Sequence, residues 1–173
     1  MISYREVHSG DTGLVADLCL LLQDNVARGA SVGFLNPLRL HVAAEYWHGA
    51  LRTLGRSQRM WVALHGERAV GTVQLALCER ENGQHRAEVQ KLMVLGGYRR
   101  RGIASRLLDL VDACADAEGR TLLVLDTAAG SSAEHLYQAR GWDRAGAIPG
   151  FAREPDGALA PTVLYFHCRG PLG

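Results

Sequence analysis

The feature that most constrains the fold is a strand that leads through an arginine-rich turn into an amphipathic helix and then into a second strand. The first strand spans residues 87–95 and is ended by two glycines. The helix carries apolar residues at helical spacing from Ile103 onward and ends at Gly119. The apolar run 121–126 is typical of a strand buried on both faces. Together they predict one strand–helix–strand crossover.

More strands and helices are predicted on both sides of this crossover. Four further strands are predicted from alternating or apolar runs: residues 2–7, 60–64, 69–77 and 162–167. Three further helices are predicted: residues 11–29, a helix with Asn36 as N-cap and Pro37 as its first residue, and a short helix opened by a capping box at 131–134. Residues 149–161 are predicted as turns. The order predicts an α/β layered structure with an antiparallel front.

Composition limits the class of protein and of partner. The chain has 173 residues, 47% of them hydrophobic and 21% charged, which is typical of one globular domain. A formal net charge of +1 implies no general affinity for nucleic acid or for an anionic membrane. The start of the chain lacks the pattern of a signal peptide. The four cysteines are widely spaced and none has metal-ligand spacing, so we expect reduced thiols, a cytoplasmic protein and no bound metal.

The turn at residues 99–104 is the strongest candidate for a ligand site. Three consecutive arginines precede Gly102, Ile103 and Ala104 at the start of the helix. Small residues let the backbone approach a ligand, and the first N–H groups of a helix attract anions. Neither a G-x-x-x-x-G-K-[ST] loop nor a G-x-G-x-x-G loop occurs in the sequence. The turn therefore predicts a diphosphate site, and the alternative is a solvent-exposed basic helix start.

The pattern Arg99-x-x-Gly102-x-Ala104 after a strand resembles the acetyl-CoA loop of the GNAT acetyltransferases. The resemblance covers nearly the whole chain, through residues 30–34, 87–95, 125–137, 148–151 and 155–166, and is greatest to the tabtoxin-resistance branch of that family. The chain departs from the family pattern where two glycines replace a common proline after the strand and Ala104 replaces glycine. The resemblance implies one acetyltransferase domain over residues 1–173. Its sheet would be mixed and mostly antiparallel, with a splayed central parallel strand pair and helices on both faces.

The same resemblance implies acetyl-CoA as cosubstrate and direct transfer of its acetyl group to an amine in a ternary complex. Backbone groups of residues 92–94 would pair with the pantetheine arm, and a backbone N–H there would hold the oxyanion of the reaction. The residues expected to bind the cofactor are Leu92, Met93, Val94, Arg99, Arg100, Arg101, Gly102, Ile103, Ala104, Ser105, Ala133 and Tyr137.

Three residues are expected to carry the chemistry. Glu88 lies fourteen positions before Gly102, the spacing at which several family members have a general base. Asp126 ends the neighbouring parallel strand and would share that role or bind the ammonium of the substrate. Tyr137 matches the family tyrosine that protonates the departing thiolate. The alternatives are salt-bridged carboxylates at strand ends and a core aromatic residue.

The acceptor is less constrained by the sequence than the donor. Ser31 and Phe34, in the loop between the first two helices, and Asp126 are expected to bind the substrate. The resemblance suggests a small amino-acid-like or toxin-like amine, and it is compatible with a homodimer. A protein N-terminus and a polyamine stay open as acceptors.

Three rival functions follow from other features of the sequence. An acyl-CoA-binding sensor without catalysis would share the fold. A serine hydrolase would use Ser31 in the G-x-S-x-G pattern of residues 29–33, although a helix precedes it where an elbow needs a strand. Nucleic-acid binding would use Arg99, Arg100 and Arg101, and would depend on salt.

Overall fold

The computed structural model describes residues 1–170, and in that range the strands form one seven-stranded sheet. The strands are β1 (Ile2–Glu6), β2 (Gln58–His65), β3 (Arg68–Leu77), β4 (Arg86–Val94), β5 (Leu122–Ala128), β6 (Asp143–Arg153) and β7 (Leu159–Cys168). Their order across the sheet is β1-β2-β3-β4-β5-β7-β6, and neighbouring strands are antiparallel except β4 and β5. The predicted mixed, mostly antiparallel sheet with one parallel pair is confirmed.

Within residues 1–170, four α-helices cover the two faces of this sheet. They are α1 (Val15–Ala27), α2 (Leu40–Thr53), α3 (Ile103–Ala117) and α4 (Ser132–Ala139). One core packs α1 and α2 against the sheet, and the other packs α3 and the ring of Tyr137 from α4. Leu107 of α3 is completely buried, and burying one such side chain contributes about 1.5–3 kcal/mol.

Successive side chains of β2 contribute alternately to the two cores. Met60 and Val62 pack with α1 and α2, whereas Trp61 and Ala63 pack with the core that contains α3. Successive side chains of a strand point to opposite faces, so a strand between two helix layers is apolar on both. The sheet therefore has no solvent-facing side at its centre.

The parallel strands β4 and β5 pair only over their first residues. Its register covers three residue pairs, Arg86–Leu122, Ala87–Leu123 and Glu88–Val124. Beyond them β4 stays paired with β3 as far as Val94, and β5 stays paired with β7 as far as Ala128. The two central strands therefore part after Glu88, as the splayed pair of the prediction requires.

A β-bulge lies in β4 just beyond the point of parting. Thr72 of β3 pairs with Met93 and Gln74 pairs with Gln90, so β4 carries one extra residue over this step. Lys91 occupies the bulge with a φ of 51°, in the left-handed region that non-glycine residues seldom adopt. The bulge turns the side chains of β4 out of simple alternation at this point.

The second helix begins later than the sequence predicts. Asn36 and Pro37 were expected to open it, but α2 starts at Leu40 with Arg39 as its N-cap. The backbone N–H of Asn36 instead donates to the carbonyl of Pro155, 2.8 Å away. A tertiary contact therefore holds Asn36 in a loop, where local capping chemistry predicted a helix.

The strand β6 is missing from the sequence-based prediction, and β7 is longer than predicted. Part of β6 was predicted as turns because residues 149–161 contain Pro149, Gly150 and Gly157. No residue of β6 is buried, and its register with β7 breaks twice. An exposed edge strand with interrupted pairing has no periodic apolar pattern, so its sequence carries little strand signal.

Close packing of α3 against β3 depends on Gly71. A Cβ atom built there would lie 3.1 Å from Cγ2 of Ile103 and 3.3 Å from Cδ1 of Leu107. Both partners are buried, so they have little room to move. Gly71 therefore sets how near the helix that follows the arginine turn approaches the sheet.

We predict that Gly71→Val lowers the free energy of unfolding by about 1–3 kcal/mol, because overpacking a dense core forces neighbours out of place. Urea unfolding followed by circular dichroism measures the change. Gly10→Val is the matched control, because a Cβ at Gly10 meets nothing within 4 Å. Equal stability of the two variants would contradict this account.

Candidate functional site

The connection from β4 to α3 is shaped by two left-handed residues. Arg100 has a φ of 60° and Gly102, the N-cap of α3, has a φ of 75°. A Cβ at Gly102 would meet nothing within 4 Å, so the backbone angle, and not crowding, favours glycine there. Alternating backbone conformations of this kind turn successive N–H groups toward one side. The backbone angles of the loop therefore suit a surface of N–H donors.

The start of α3 presents backbone donors without acceptors. Within residues 1–170 the N–H groups of Ile103, Ala104 and Ser105 form no hydrogen bond, and no side chain caps the helix. The first N–H that is bonded belongs to Arg106 and donates to the carbonyl of Gly102 at 3.0 Å. Free donors at the positive end of a 15-residue helix fit a diphosphate. The residues present therefore suit the anion that the sequence predicts.

The three arginines of the turn have different environments. Arg99 donates from Nε to the carbonyl of Val94 at 3.2 Å and from a terminal nitrogen to Oδ1 of Asn25 at 2.8 Å, which ties the turn to α1. Arg101 donates to the carbonyl of Gly97 at 2.9 Å. Arg100 is exposed and forms no hydrogen bond or ion pair among the described residues. The cofactor contacts predicted for these arginines stay predictions, and Arg100 has the most available guanidinium.

The parting of β4 and β5 leaves one edge of β4 without a strand partner. On the β5 side no residue of β4 beyond Glu88 is paired. Leu92, Met93 and Val94, which the sequence predicts to pair with the cofactor arm, lie on this stretch. An open strand edge offers a row of N–H and C=O groups to an extended ligand.

Glu88 and Asp126 lie on the two strands that part, and neither is in a salt bridge within the described residues. Oε1 of Glu88 accepts a hydrogen bond from Nε2 of Gln90 at 2.9 Å, and the side chain is half-buried. Asp126 is exposed, and its Oδ2 accepts from the hydroxyl of Thr162 at 3.1 Å. The alternative interpretation, that both carboxylates only form structural salt bridges, therefore has no support. Both keep oxygens available for a proton or an ammonium group.

Tyr137 lies on α4 with its ring packed against Trp142 at a centroid distance of 5.5 Å. Burial first, and the charge of Asp126 second, raise the pKa of its hydroxyl well above the ordinary value. Among residues 1–170 this hydroxyl has no hydrogen-bond partner. A phenol in this state keeps its proton at neutral pH and is free to donate it.

Lys91 is a site residue that the sequence analysis missed. Burial lowers the pKa of its ammonium, while the charges of Asp126 and Glu88 act in the opposite direction. Asp126 therefore influences both Lys91 and Tyr137, which places all four groups in one electrostatic neighbourhood. The signal in the sequence was that the only lysine of the chain lies within a strand.

A cavity of about 560 Å³ lies between α2 and strands β3 and β4. Phe34, predicted to bind substrate, lines it, and the ring of Tyr46 meets Phe34 edge-on at 5.3 Å. Gln74 at its wall is buried, and its Nε2 has no hydrogen-bond partner. Ser31 is exposed in the loop that follows α1 and does not line the cavity. Because a helix precedes Ser31, the nucleophile elbow of a hydrolase is not formed.

Other kinds of site were sought in the described part of the chain. None of its helices is long and apolar enough to cross a membrane. No group of three or more His, Cys, Asp or Glu side chains there is arranged to hold a metal ion.

Comparison with known proteins identifies what this chain is similar to. A family model described as acetyltransferase (GNAT) domain matches residues 56–144. An N-acetyltransferase from Staphylococcus aureus Mu50 superposes with a TM-score of 0.79 at 18% identity, covering 98% of this chain and 99% of that chain. A ribosomal-protein-alanine N-acetyltransferase from Brucella melitensis gives a TM-score of 0.74 at 18% identity, covering 96% and 99%. A candidate phosphinothricin N-acetyltransferase superposes with a TM-score of 0.77 at 18% identity, covering 99% of this chain and 100% of that chain. At these identities the three structures show the fold alone.

The position of α4, and with it Tyr137, depends on Glu134. Its Oε1 accepts from the Tyr165 hydroxyl at 2.7 Å and its Oε2 from the N–H of Gly130 at 2.6 Å. The hydrogen bond from Tyr165 and that from Gly130 lower the pKa of this carboxyl. A lowered folded pKa stabilises the fold above the unfolded value of about 4.3, and this stability is lost as the pH falls through the folded pKa.

We predict that Glu134→Gln costs about 1.5 kcal/mol or more at pH 7, because hydrogen bonds to a charged group are lost. The difference from the parent protein shrinks as the pH falls below about 4, where the parent carboxyl also becomes neutral. Thermal unfolding at several pH values measures it. Glu81→Gln, in an exposed turn, is the control and should change little at any pH. A pH-independent loss in Glu134→Gln would argue against this role.

Proposed function

The chain belongs to the GNAT acetyltransferase family, and from that premise we propose that it moves an acetyl group from acetyl-CoA to the amine of a small molecule. Transfer would be direct, with both substrates bound in one ternary complex. The observation that carries the proposal is the combination of free donors at the start of α3 and an open edge on β4. These two features lie on either side of one turn, as a ligand with a diphosphate and an extended arm requires.

The N–H groups of Ile103, Ala104 and Ser105 would hold the diphosphate, with Arg100 adding charge at the rim. The backbone of β4 beyond Glu88 would hold the pantetheine arm and offer an N–H to the oxyanion of the reaction. Ala133 of α4, which packs against the adjoining core, would contact the same ligand. Acetyl-CoA supplies an activated acetyl thioester, and the chain supplies orientation and proton transfer.

A carboxylate is needed because the acceptor amine is mostly protonated. A primary amine with a pKa near about 10 is a poor nucleophile at neutral pH until it loses a proton. Glu88 and Asp126 lie on the two sides of the opening and are both free of salt bridges in the described structure. Glu88 would take the proton, directly or through water, and Asp126 would hold the ammonium or share the base role.

Tyr137 would donate its hydroxyl proton to the departing thiolate. The phenol is protonated at neutral pH, and its hydroxyl is not committed to another group of the described structure. The same tyrosine would contact the cofactor, as the family resemblance implies.

The acceptor class proposed here is an amino-acid-like or toxin-like amine. A cavity of about 560 Å³ beside β4 is of a size that suits a small molecule. The resemblance to the tabtoxin-resistance branch and the structural likeness to a protein named for phosphinothricin support the same class. Phe34 and Asp126 would line the acceptor side, and Ser31 would lie at its entrance.

The proposal is tested by release of the CoA thiol over a panel of small amines and amino acids. Each amine that causes thiol release should give a product heavier by one acetyl group. A protein that binds CoA and acetylates no amine would instead be the acyl-CoA sensor, the principal rival function.

We predict that Gly102→Val raises the Kd for CoA at least tenfold. A β-branched residue at a φ of 75° is strained, so the donor loop deforms. Isothermal titration with CoA measures the affinity. Gly119→Val is the matched control, because Gly119 has a φ of 64° beyond the other end of α3 and also meets nothing within 4 Å. Unchanged CoA affinity in Gly102→Val would remove the loop from the binding site.

We predict that Tyr137→Phe lowers kcat by about 10²-fold or more, because general acid catalysis is commonly worth that much. The Kd for CoA should stay within about twofold, since the buried ring is retained. Steady-state kinetics and titration separate the two effects. Tyr4→Phe, on the remote strand β1, is the control and should leave kcat unchanged. A kcat equal to that of the parent protein would exclude Tyr137 as the acid.

A further inference from the structure

Lys91 is exceptional both in the sequence and in the backbone. Of the 19 cationic Lys and Arg side chains of the chain, it is the only lysine. It also occupies the bulge of β4 with a φ of 51°, a conformation that is strained for a non-glycine residue. Such strain persists only where the surroundings hold it, and it is concentrated at functional sites.

The bulge directs the Lys91 side chain away from the sheet toward the wall formed by α2 and the loop before it. Its Nζ lies 5.6 Å from the ring centroid of Tyr46. It would lie 3.8 Å from a Cβ built at Gly33. Tyr46, its ring partner Phe34 and the strand neighbour Gln90 all line the cavity. The ammonium group is therefore at the edge of the proposed acceptor cavity.

The Lys91 ammonium has no close ionic partner in the described structure. No carboxylate of residues 1–170 lies within 4.0 Å of Nζ, and no hydrogen bond involves this nitrogen. Glu88 and Asp126 act on it only at longer range, and Glu45 lines the cavity from α2. A half-buried cation without a partner is costly, and an anionic group arriving with a ligand would offset that cost.

We propose that Lys91 determines acceptor specificity by binding an anionic oxygen group, such as a carboxylate, on the acceptor. This inference rests on the proposed function. The acceptor is then a small zwitterion whose amine faces Glu88 and Asp126 and whose anion faces Lys91. Two carboxylates and one ammonium on the protein complement one ammonium and one carboxylate on the ligand.

The test compares free amino acids with their carboxamides, which keep the amine and lose the negative charge. The panel is the L-amino acids alanine, leucine, methionine and glutamine, each as acid and as carboxamide. For the parent protein we expect kcat/KM at least tenfold higher for acids than for the matching carboxamides. In Lys91→Met, KM for the acids rises at least tenfold and the carboxamides change less than twofold. Lys91→Arg, which keeps the charge, retains most of the preference.

Both variants keep a non-glycine side chain at the same backbone angle, so they carry the same strain. Arg68→Met is the charge control, because it removes one positive charge from the exposed first residue of β3, and neither this residue nor the turn before it lines the cavity. It should leave the preference for acids unchanged.

A second readout does not depend on activity. Because Lys91 is the only lysine, protein labelled with ¹⁵Nζ,¹³Cε-lysine gives one side-chain signal from this chain. With CoA bound, addition of the acids should shift this signal and addition of the carboxamides should not.

The outcomes separate the inference from the proposed function. If carboxamides are acetylated as well as acids, or only amines without an anionic group are acetylated, Lys91 does not select the acceptor and the proposed function stands. If CoA binds but no amine of any class is acetylated, the proposed function fails and the inference fails with it.

Discussion

The structure depends on one constraint, the early end of pairing between the parallel strands β4 and β5. Three residue pairs join them, and after Glu88 each strand follows only its outer neighbour. A continuous sheet would bury these backbone groups in a ladder and leave no opening. The parting creates an open strand edge at the centre of the molecule. It is also the reason why Asp126 and Glu88, on the two strands, face a common space.

The arginine turn and the bulge both act at this opening. The turn places the uncapped start of α3 at one end of the open edge. Arg99 connects the turn to α1 through its hydrogen bond to Asn25. The bulge places Lys91 on the side of α2 and the cavity. Under the proposed function, the diphosphate would bind beyond the carboxyl end of β4 and the acceptor would bind beside the bulge within the same strand.

The sequence predicts this arrangement well where the residues that determine it are close together along the chain. The strand, turn and helix around Gly102 follow from apolar periodicity and from small residues beside arginines. The exposed strand β6 was missed because an edge strand buries no side chain. The start of α2 was placed too early because the bond from Asn36 to Pro155 spans distant parts of the chain. Lys91 was missed for a similar reason, since a bulge is a property of two paired strands.

The sequence by itself determined most of the element types, the crossover and the turn that is predicted to bind an anion, because these depend on residues close together along the chain. The family resemblance added the roles expected of Glu88, Asp126 and Tyr137. Only the tertiary structure decided that the central strands part after Glu88 and that Glu88 and Asp126 form no salt bridge with any of residues 1–170. Only it placed Lys91 beside Tyr46. Strand register and side-chain environment depend on contacts between distant segments, and no local pattern encodes them.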